Sequence, residues 1–185
     1  MKYNIPPRYT EVVKHGLPDF VLESLKKIKK NNNNKNSLYI TGKTGVGKTF
    51  TAHCIGYIIS NLENSKEYKQ SNERSDHFPT FYQMTELLVT SKNKMTRGDF
   101  SFFNEIKTKK GFLILDDFGF DKATDWNSEL LFLLVDYRYV NKLPTVFTSN
   151  FSFNDLKKNN YDERMVDRIS EMCEIIKLDG KSKRI

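Results

Sequence analysis

The chain has 185 residues, 38% hydrophobic and 29% charged, with a formal net charge of +7. This length suits one α/β domain with its own core, and the composition excludes a disordered or fibrous chain. No apolar run reaches the length of a membrane span, the first residues lack a secretory pattern, and Cys54 and Cys173 lack metal-ligand spacing, so a reducing cytoplasm is the expected location.

Residues 1–15 are expected to be extended, because Pro6 and Pro7 oppose helix. Leu17 to Lys30 reads as an amphipathic helix with Leu17, Val21, Leu25 and Ile28 in one stripe. Asn31 to Asn36 is a polar connector. Lys26, Lys27, Lys29, Lys30 and Lys35 crowd this region, and Lys177, Lys181, Lys183 and Arg184 crowd the other end. Such basic clusters either follow a nucleic-acid backbone or form a solvated lysine-rich face, and both readings stand.

Ser37 to Thr41 has strand character, and Phe50 to Ser60 carries Phe50, Cys54, Ile55, Ile58 and Ile59 at helical spacing. Between them lies Gly42-Lys43-Thr44-Gly45-Val46-Gly47-Lys48-Thr49, a complete Walker A loop. Glycines let successive backbone N–H groups converge on phosphate oxygens, and the following helix points its positive dipole end at the same place. Lys48 is expected to reach the outer phosphates and Thr49 to hold magnesium. The expected ATP-binding set is Gly42, Lys43, Thr44, Gly45, Val46, Gly47, Lys48, Thr49 and Phe50.

Asn61 to His77 is nearly free of apolar residues and reads as a surface loop or a frayed helix end. Pro79 to Gln83 is the second expected strand. Thr85 to Lys92 is a helix capped by Thr85 with Leu87 and Leu88 inward, and Phe100 to Thr108 is another with Phe102, Phe103 and Ile106 on one face. Gly111 to Leu115 is a continuous apolar run, the pattern of a strand covered on both faces, and it ends in Asp116-Asp117. With a Walker A loop upstream, this is a Walker B ending: Asp116 for magnesium, Asp117 to orient the attacking water. Asn127 to Asn141 is a strong helix, Pro144 to Thr148 the next strand, and Thr148-Ser149-Asn150 its end, with Asn150 placed to reach the γ-phosphate or the water. Short helices at Asn154 to Lys158 and Asp162 to Cys173 precede a last strand, Glu174 to Leu178. The alternation predicts a parallel sheet with helices on both faces in a single domain, residues 1–36 forming an N-terminal segment and residues 37–185 the ATPase core.

Arg164 and Arg168 are four apart and share a helix face. By spacing alone, ion pairs with Glu163, Asp167 or Glu171 are the favoured reading. Trp126, the single tryptophan, packs on the core at a helix start or stacks on a base, the first being slightly favoured.

Taken together, Ile5 to Tyr9, the Walker A loop, Phe112 to Gly119, Leu143 to Phe151 and Glu163 to Ile169 resemble the AAA+ core of DnaC/DnaI-type bacterial helicase loaders, with much shared by the related IstB transposition ATPases. The resemblance spans nearly the whole chain in the right order. It implies an AAA+ P-loop fold with five parallel strands and no helical lid after the last one. Asn150 would be the sensor 1 residue, and Arg168 an arginine finger acting in trans with Arg164 as accessory. The Pro6 to Tyr9 segment would lie near the nucleobase. DNA contacts would come from Lys122 to Trp126 and from the loop Lys92 to Arg97, with Lys92, Lys94 and Arg97 on phosphates and Trp126 on a base. Members of this family carry an N-terminal helicase-binding region, zinc-binding in some; here the resemblance begins almost at the first residue, as in a minimal phage or mobile-element version or a truncated piece.

The resulting expectation is a cytoplasmic Mg-ATP-dependent helicase loader that self-associates on single-stranded DNA and helps place a replicative helicase, with slow hydrolysis when alone. An IstB-type transposition helper and a nucleotide-binding adaptor that inhibits a host loader are the alternatives. A nucleotide kinase would need an arginine-rich acceptor lid, and the chain shows none.

Overall fold

The structure, a computed structural model, describes residues 6–9, 18–30, 35–63, 78–120 and 124–180. Helix α1 (Asp19–Lys30) precedes β1 (Ser37–Thr41), the phosphate-loop sequence and α2 (Lys48–Glu63). Next come β2 (Thr80–Gln83), α3 (Met84–Met95), α4 (Ser101–Thr108), β3 (Leu113–Asp116) and α5 (Asp125–Val140). The chain continues through β4 (Thr145–Ser149), α6 (Phe153–Lys158), α7 (Glu163–Met172) and β5 (Cys173–Lys177).

The strands form one five-stranded sheet in the order β2-β3-β4-β1-β5, and every pairing is parallel. Period-two alternation along each strand splits the apolar residues between the two faces. Leu38, Ile40, Ile114, Val146 and Ile176 pack with α1 and α2 on one side. Tyr39, Leu113, Leu115 and Phe147 pack with α3, α4, α5 and α7 on the other. The expected sandwich of helices on both faces is therefore present, and each face has its own core.

Several boundaries differ from expectation. Pro7–Tyr9 is a short 3-10 turn rather than extended chain, closed by the Tyr9 N–H on the Pro6 carbonyl; proline suits the first position of a helical turn, where no donor is required. Helix α3 starts at Met84 with Gln83 at the cap and no side-chain cap bond, so Thr85 lies inside the first turn and does not cap it. The same helix runs on to Met95, which puts Lys92 and Lys94 on a helix rather than in a loop. Cys173 opens β5 instead of ending α7. Leu17, Lys122, Lys181, Lys183, Arg184 and residues 64–77 of the expected polar loop lie outside the described residues.

Lys27 and Lys35 approach Glu174 of β5 at 3.5 and 4.0 Å, and Lys177 approaches Asp179 at 3.5 Å, so part of this charge is offset within the chain.

At the N-terminal ends of β3 and β4, Arg138 of α5 is fully buried. Its Nε donates to Thr145 Oγ1 (2.8 Å), Nη2 to the carbonyls of Pro144 (2.7 Å) and Gly111 (3.2 Å), and Nη1 to that of Lys109 (2.9 Å). Longer bonds reach the Ile106 and Lys107 carbonyls at the end of α4. A buried guanidinium is tolerated because its donors are met, and helix-end carbonyls are favourable company for a cation.

Candidate active site

Parallel strands place their C-terminal ends along one edge of the sheet, and β1, β3 and β4 each end there in a polar segment. From β1 the chain enters the loop Gly42 to Gly47. A Cβ at Gly42 would collide with the Leu178 carbonyl, so only glycine lets the loop leave β1 this close to the strand end of β5. Gly47 has φ +104 with open space where a Cβ would point, which strains any other residue there and leaves its front face clear for an incoming oxygen. Val46 is buried beneath the loop, while Lys43 and Thr44 are exposed. Gly45 also has positive φ.

Lys48, the first residue of α2, folds its amine into the mouth of this loop. Nζ donates to the carbonyls of Gly42 and Lys43, both at 3.0 Å, and to Asn150 Oδ1 just beyond β4. Thr49 follows on the helix, and its Oγ1 donates to Asp116 Oδ2 at 3.0 Å. Asp116 is the last residue of β3, fully buried, and its Oδ1 accepts from Thr148 Oγ1 at 2.6 Å. Burial holds the Asp116 carboxyl above its ordinary value; neighbouring Asp117 also raises it, while the Thr148 and Thr49 hydroxyls and Lys48 pull the other way. The next residue, Asp117, has φ +58 and donates its N–H to Thr148 Oγ1 at 3.0 Å. Positive φ at a non-glycine residue is uncommon, and here it turns the chain out of the strand right after Asp116.

Beyond Asn150, Tyr39 Oη and Thr41 Oγ1 both donate to the Phe151 carbonyl, and Ser149 Oγ donates to the Phe118 carbonyl at 2.6 Å. These bonds stitch the ends of β1, β3 and β4 together around the loop. Phe50 is half-buried on α2 with its ring edge-on to Tyr9 at 6.3 Å. Tyr9 in turn stacks on His53 (4.7 Å, 26°) and His53 on Phe81 of β2 (4.1 Å, 16°). Burial in this column pushes the His53 imidazole down to about 4.

The structure thus brings Lys48, Thr49, Asp116, Asp117 and Asn150 to one place. It sets Arg164 and Arg168 elsewhere, on α7 against α5. Neither uses the acids expected from spacing. Arg164 pairs with Asp162 at 2.7 Å, and Arg168 with Asp136 of α5 at 3.1 Å. Trp126 is half-buried against the core in the first turn of α5, with Lys92 Nζ 5.8 Å from its ring centre. Lys94 pairs with Asp99 at 3.1 Å, and Arg97 is exposed on the turn after α3. Two participants escaped the sequence reading. Neither carries a local signal: Thr148 lies beside Asp116 through the β3–β4 pairing, and His53 meets Tyr9 and Phe81 through tertiary packing.

The residues fit a magnesium-bound nucleoside triphosphate. The loop has an open glycine face and a lysine amine at its mouth, and a hydroxyl and a carboxylate lie within 3.0 Å of each other, oxygen donors of the kind a hard cation selects. Residues 9–185 match the family described as IstB-like ATP binding protein. The chain belongs to this family. It is 30% identical over 159 residues to the replicative helicase loader DnaI of Bacillus subtilis (strain 168), covering 80% of this chain and 47% of that protein. The insertion sequence IS232 putative ATP-binding protein of Bacillus thuringiensis subsp. berliner is 26% identical over 153 residues, or 80% of this chain and 56% of that protein. This IstB-like chain therefore spans about half the length of these relatives. The crystal structure of the DnaC helicase loader superposes with a TM-score of 0.71 at 24% identity, covering 94% of this chain and 100% of that one. The fold is that of an AAA+ P-loop domain, as the resemblance implied. No helix among the described residues is long and apolar enough to cross a membrane.

Proposed function

We propose that this IstB-like chain is a cytoplasmic ATPase of the helicase-loader type, which binds Mg-ATP, self-associates on single-stranded DNA and helps place a replicative helicase. The convergence of Lys48, Thr49, Asp116 and Asn150 on one loop mouth carries the ATPase part of the reading. The similarity to the DnaI loader supports the replication part.

Thr49 and Asp116 would hold magnesium, which supplies charge neutralisation at the outer phosphates. Lys48 exchanges its carbonyl partners for phosphate oxygens, a stronger, charge-assisted bond. Asn150, already bonded to Lys48, sits on the opposite side of the loop mouth and orients the terminal phosphate or the water. Asp117 aligns the attacking water for in-line displacement and accepts its proton. Arg168 of a neighbouring subunit offsets the charge that develops on the transferred group, with Arg164 beside it. Lys92, Lys94 and Arg97 contact DNA phosphates.

The test is ATP turnover with and without single-stranded DNA. Lys48→Ala and Arg168→Ala are each expected to be inactive, and their mixture to regain activity, because one contributes an intact finger and the other an intact loop. Normal turnover by Lys48→Ala refutes the site. A second reading, an IstB-type transposition helper, is favoured by the similarity to the IS232 protein; tighter binding to duplex than to single-stranded DNA selects it.

A further inference from the structure

The α5–α7 contact gathers two arginines on one ring. The guanidinium carbons of Arg164 and Arg168 lie 4.7 and 4.8 Å from the centre of the Phe132 ring. The centre of the Tyr139 ring is 5.9 Å from the Arg168 guanidinium carbon. Phe132, Asp136 and Tyr139 follow one another at three- and four-residue steps, so they line one face of α5. Cation–π contact fixes the plane of a guanidinium without consuming its N–H donors.

The donors are used unequally. Arg164 is chelated by Asp162, through Nη2 at 2.7 Å and Nε at 3.1 Å. Among the described residues Arg168 has one ion-pair contact, Nη2 to Asp136 Oδ1 at 3.1 Å, and its Nη1 is buried with no hydrogen-bond partner. A guanidinium held by a single carboxylate oxygen is poorly matched, because its fork is shaped for two parallel bonds. An anion with several oxygens is the better partner.

We propose that Asp136 is an exchangeable counter-ion for Arg168: it occupies the guanidinium in the separate subunit and yields it to the nucleotide phosphates of a second copy of this chain, while Phe132 keeps the guanidinium plane in place throughout. This rests on the functional reading above, in which Arg168 acts in trans. Asp136 thereby sets a threshold concentration for assembly, and Phe132 is a positioning residue that acts through Arg168.

The experiment measures nucleotide-dependent self-association of the full chain by sedimentation with a non-hydrolysable ATP analogue, alongside turnover as a function of protein concentration. Asp136→Asn, which keeps the shape and removes the charge, is expected to assemble at a roughly two- to five-fold lower concentration, the size of one half-exposed ion pair. Phe132→Leu is expected to need roughly ten-fold more protein for half-maximal turnover, the loss of a ring beneath two cations. Phe132→Tyr restores the ring face and is expected to behave as the wild type. A merely structural role for Asp136 cannot produce a gain, so unchanged or weakened assembly of Asp136→Asn, with the wild type assembling normally, overturns the inference and leaves the functional reading intact. Equal turnover by Phe132→Leu and the wild type overturns the positioning role. If the wild type fails to assemble with nucleotide at any concentration, the functional reading falls and the inference with it.

Discussion

Thr148 donates its hydroxyl proton to Asp116 Oδ1 at 2.6 Å, across the β3–β4 seam. Thr148 Oγ1 in turn accepts the Asp117 N–H at 3.0 Å, so one side chain holds the Asp116 carboxylate and the Asp117 backbone. Thr148→Val keeps the β-branched shape but strips a partner from a buried carboxylate and from a backbone donor. The expected cost is about 1–3 kcal/mol. Magnesium titration of turnover is expected to show a roughly ten-fold weaker response, the size of about 1.4 kcal/mol, with Thr148→Ser restoring it. An unaltered magnesium response shows that Asp116 needs no such support.

Asp116 also creates a pH signature. Its folded carboxyl is held above the ordinary value by burial, so the folded chain holds the proton more tightly than the unfolded chain. Stability therefore falls as pH rises from the unfolded value of 3.8 through the raised folded value. Asp116→Asn removes that charge while still offering an acceptor and a donor to the two hydroxyls. Without magnesium, it is expected to melt a few degrees higher at pH 7, about 1 kcal/mol for a domain of this size, and to lose hydrolysis. The gain shrinks as pH falls. A variant that melts lower than the wild type at pH 7 contradicts this.

The opposite sign holds for His53. Its folded value, about 4, lies below the ordinary 6.5 because burial disfavours the imidazolium. The unfolded chain takes up the proton first, so stability is complete above pH 6.5 and is lost as pH falls towards 4. The loss is expected to approach 3 kcal/mol in order of magnitude, from about 1.4 kcal/mol per pKa unit. His53→Phe keeps a ring between Tyr9 and Phe81 and is expected to flatten the acid limb in urea unfolding measured from pH 7 to pH 4. An acid limb as steep as the wild type's assigns the loss to other groups.

How much of this could be read in advance depended on how local each signal is. The phosphate loop and the Asp116 strand end announce themselves within a few residues, because glycine geometry and a buried apolar run are local properties, whereas Asn150 alone reads equally as a turn residue and gains its role from the two motifs before it. The partners of those residues are not local. Thr148 faces Asp116 only because β4 lies beside β3, and Arg168 meets Asp136 only because α7 packs on α5. Helical spacing pointed to Glu163, Asp167 and Glu171, and tertiary packing supplied Asp136 instead. The Thr85 cap failed for a smaller reason: the strand passes into α3 without a break, so Gln83 occupies the cap position.

The expected DNA contacts separate in the structure. Lys92 lies over Trp126 and Lys94 is paired with Asp99, whereas Arg97 is exposed on its turn. Arg97→Ala is expected to weaken single-stranded DNA binding and to lower the salt slope by about 0.7, the value of one phosphate contact. Lys94→Ala is expected to do so less, because its charge is already offset. Trp126→Leu, which keeps apolar bulk and removes the aromatic face, is expected to leave affinity within about two-fold, since stacking worth about 1–3 kcal/mol would cost far more. Fluorescence titration of DNA at several salt concentrations reads all three. A large loss in Trp126→Leu makes the tryptophan a base platform after all.

Arg138 carries one more implication. It rivets the beginnings of β3 and β4 to the tail of α4, at the far end of the sheet from the phosphate loop. Two strands fastened at their roots cannot slip past each other. Any movement that a bound nucleotide brings is therefore expected at the tips, where the chain leaves Thr41, Asp116 and Ser149, as branches move above a trunk that stays still.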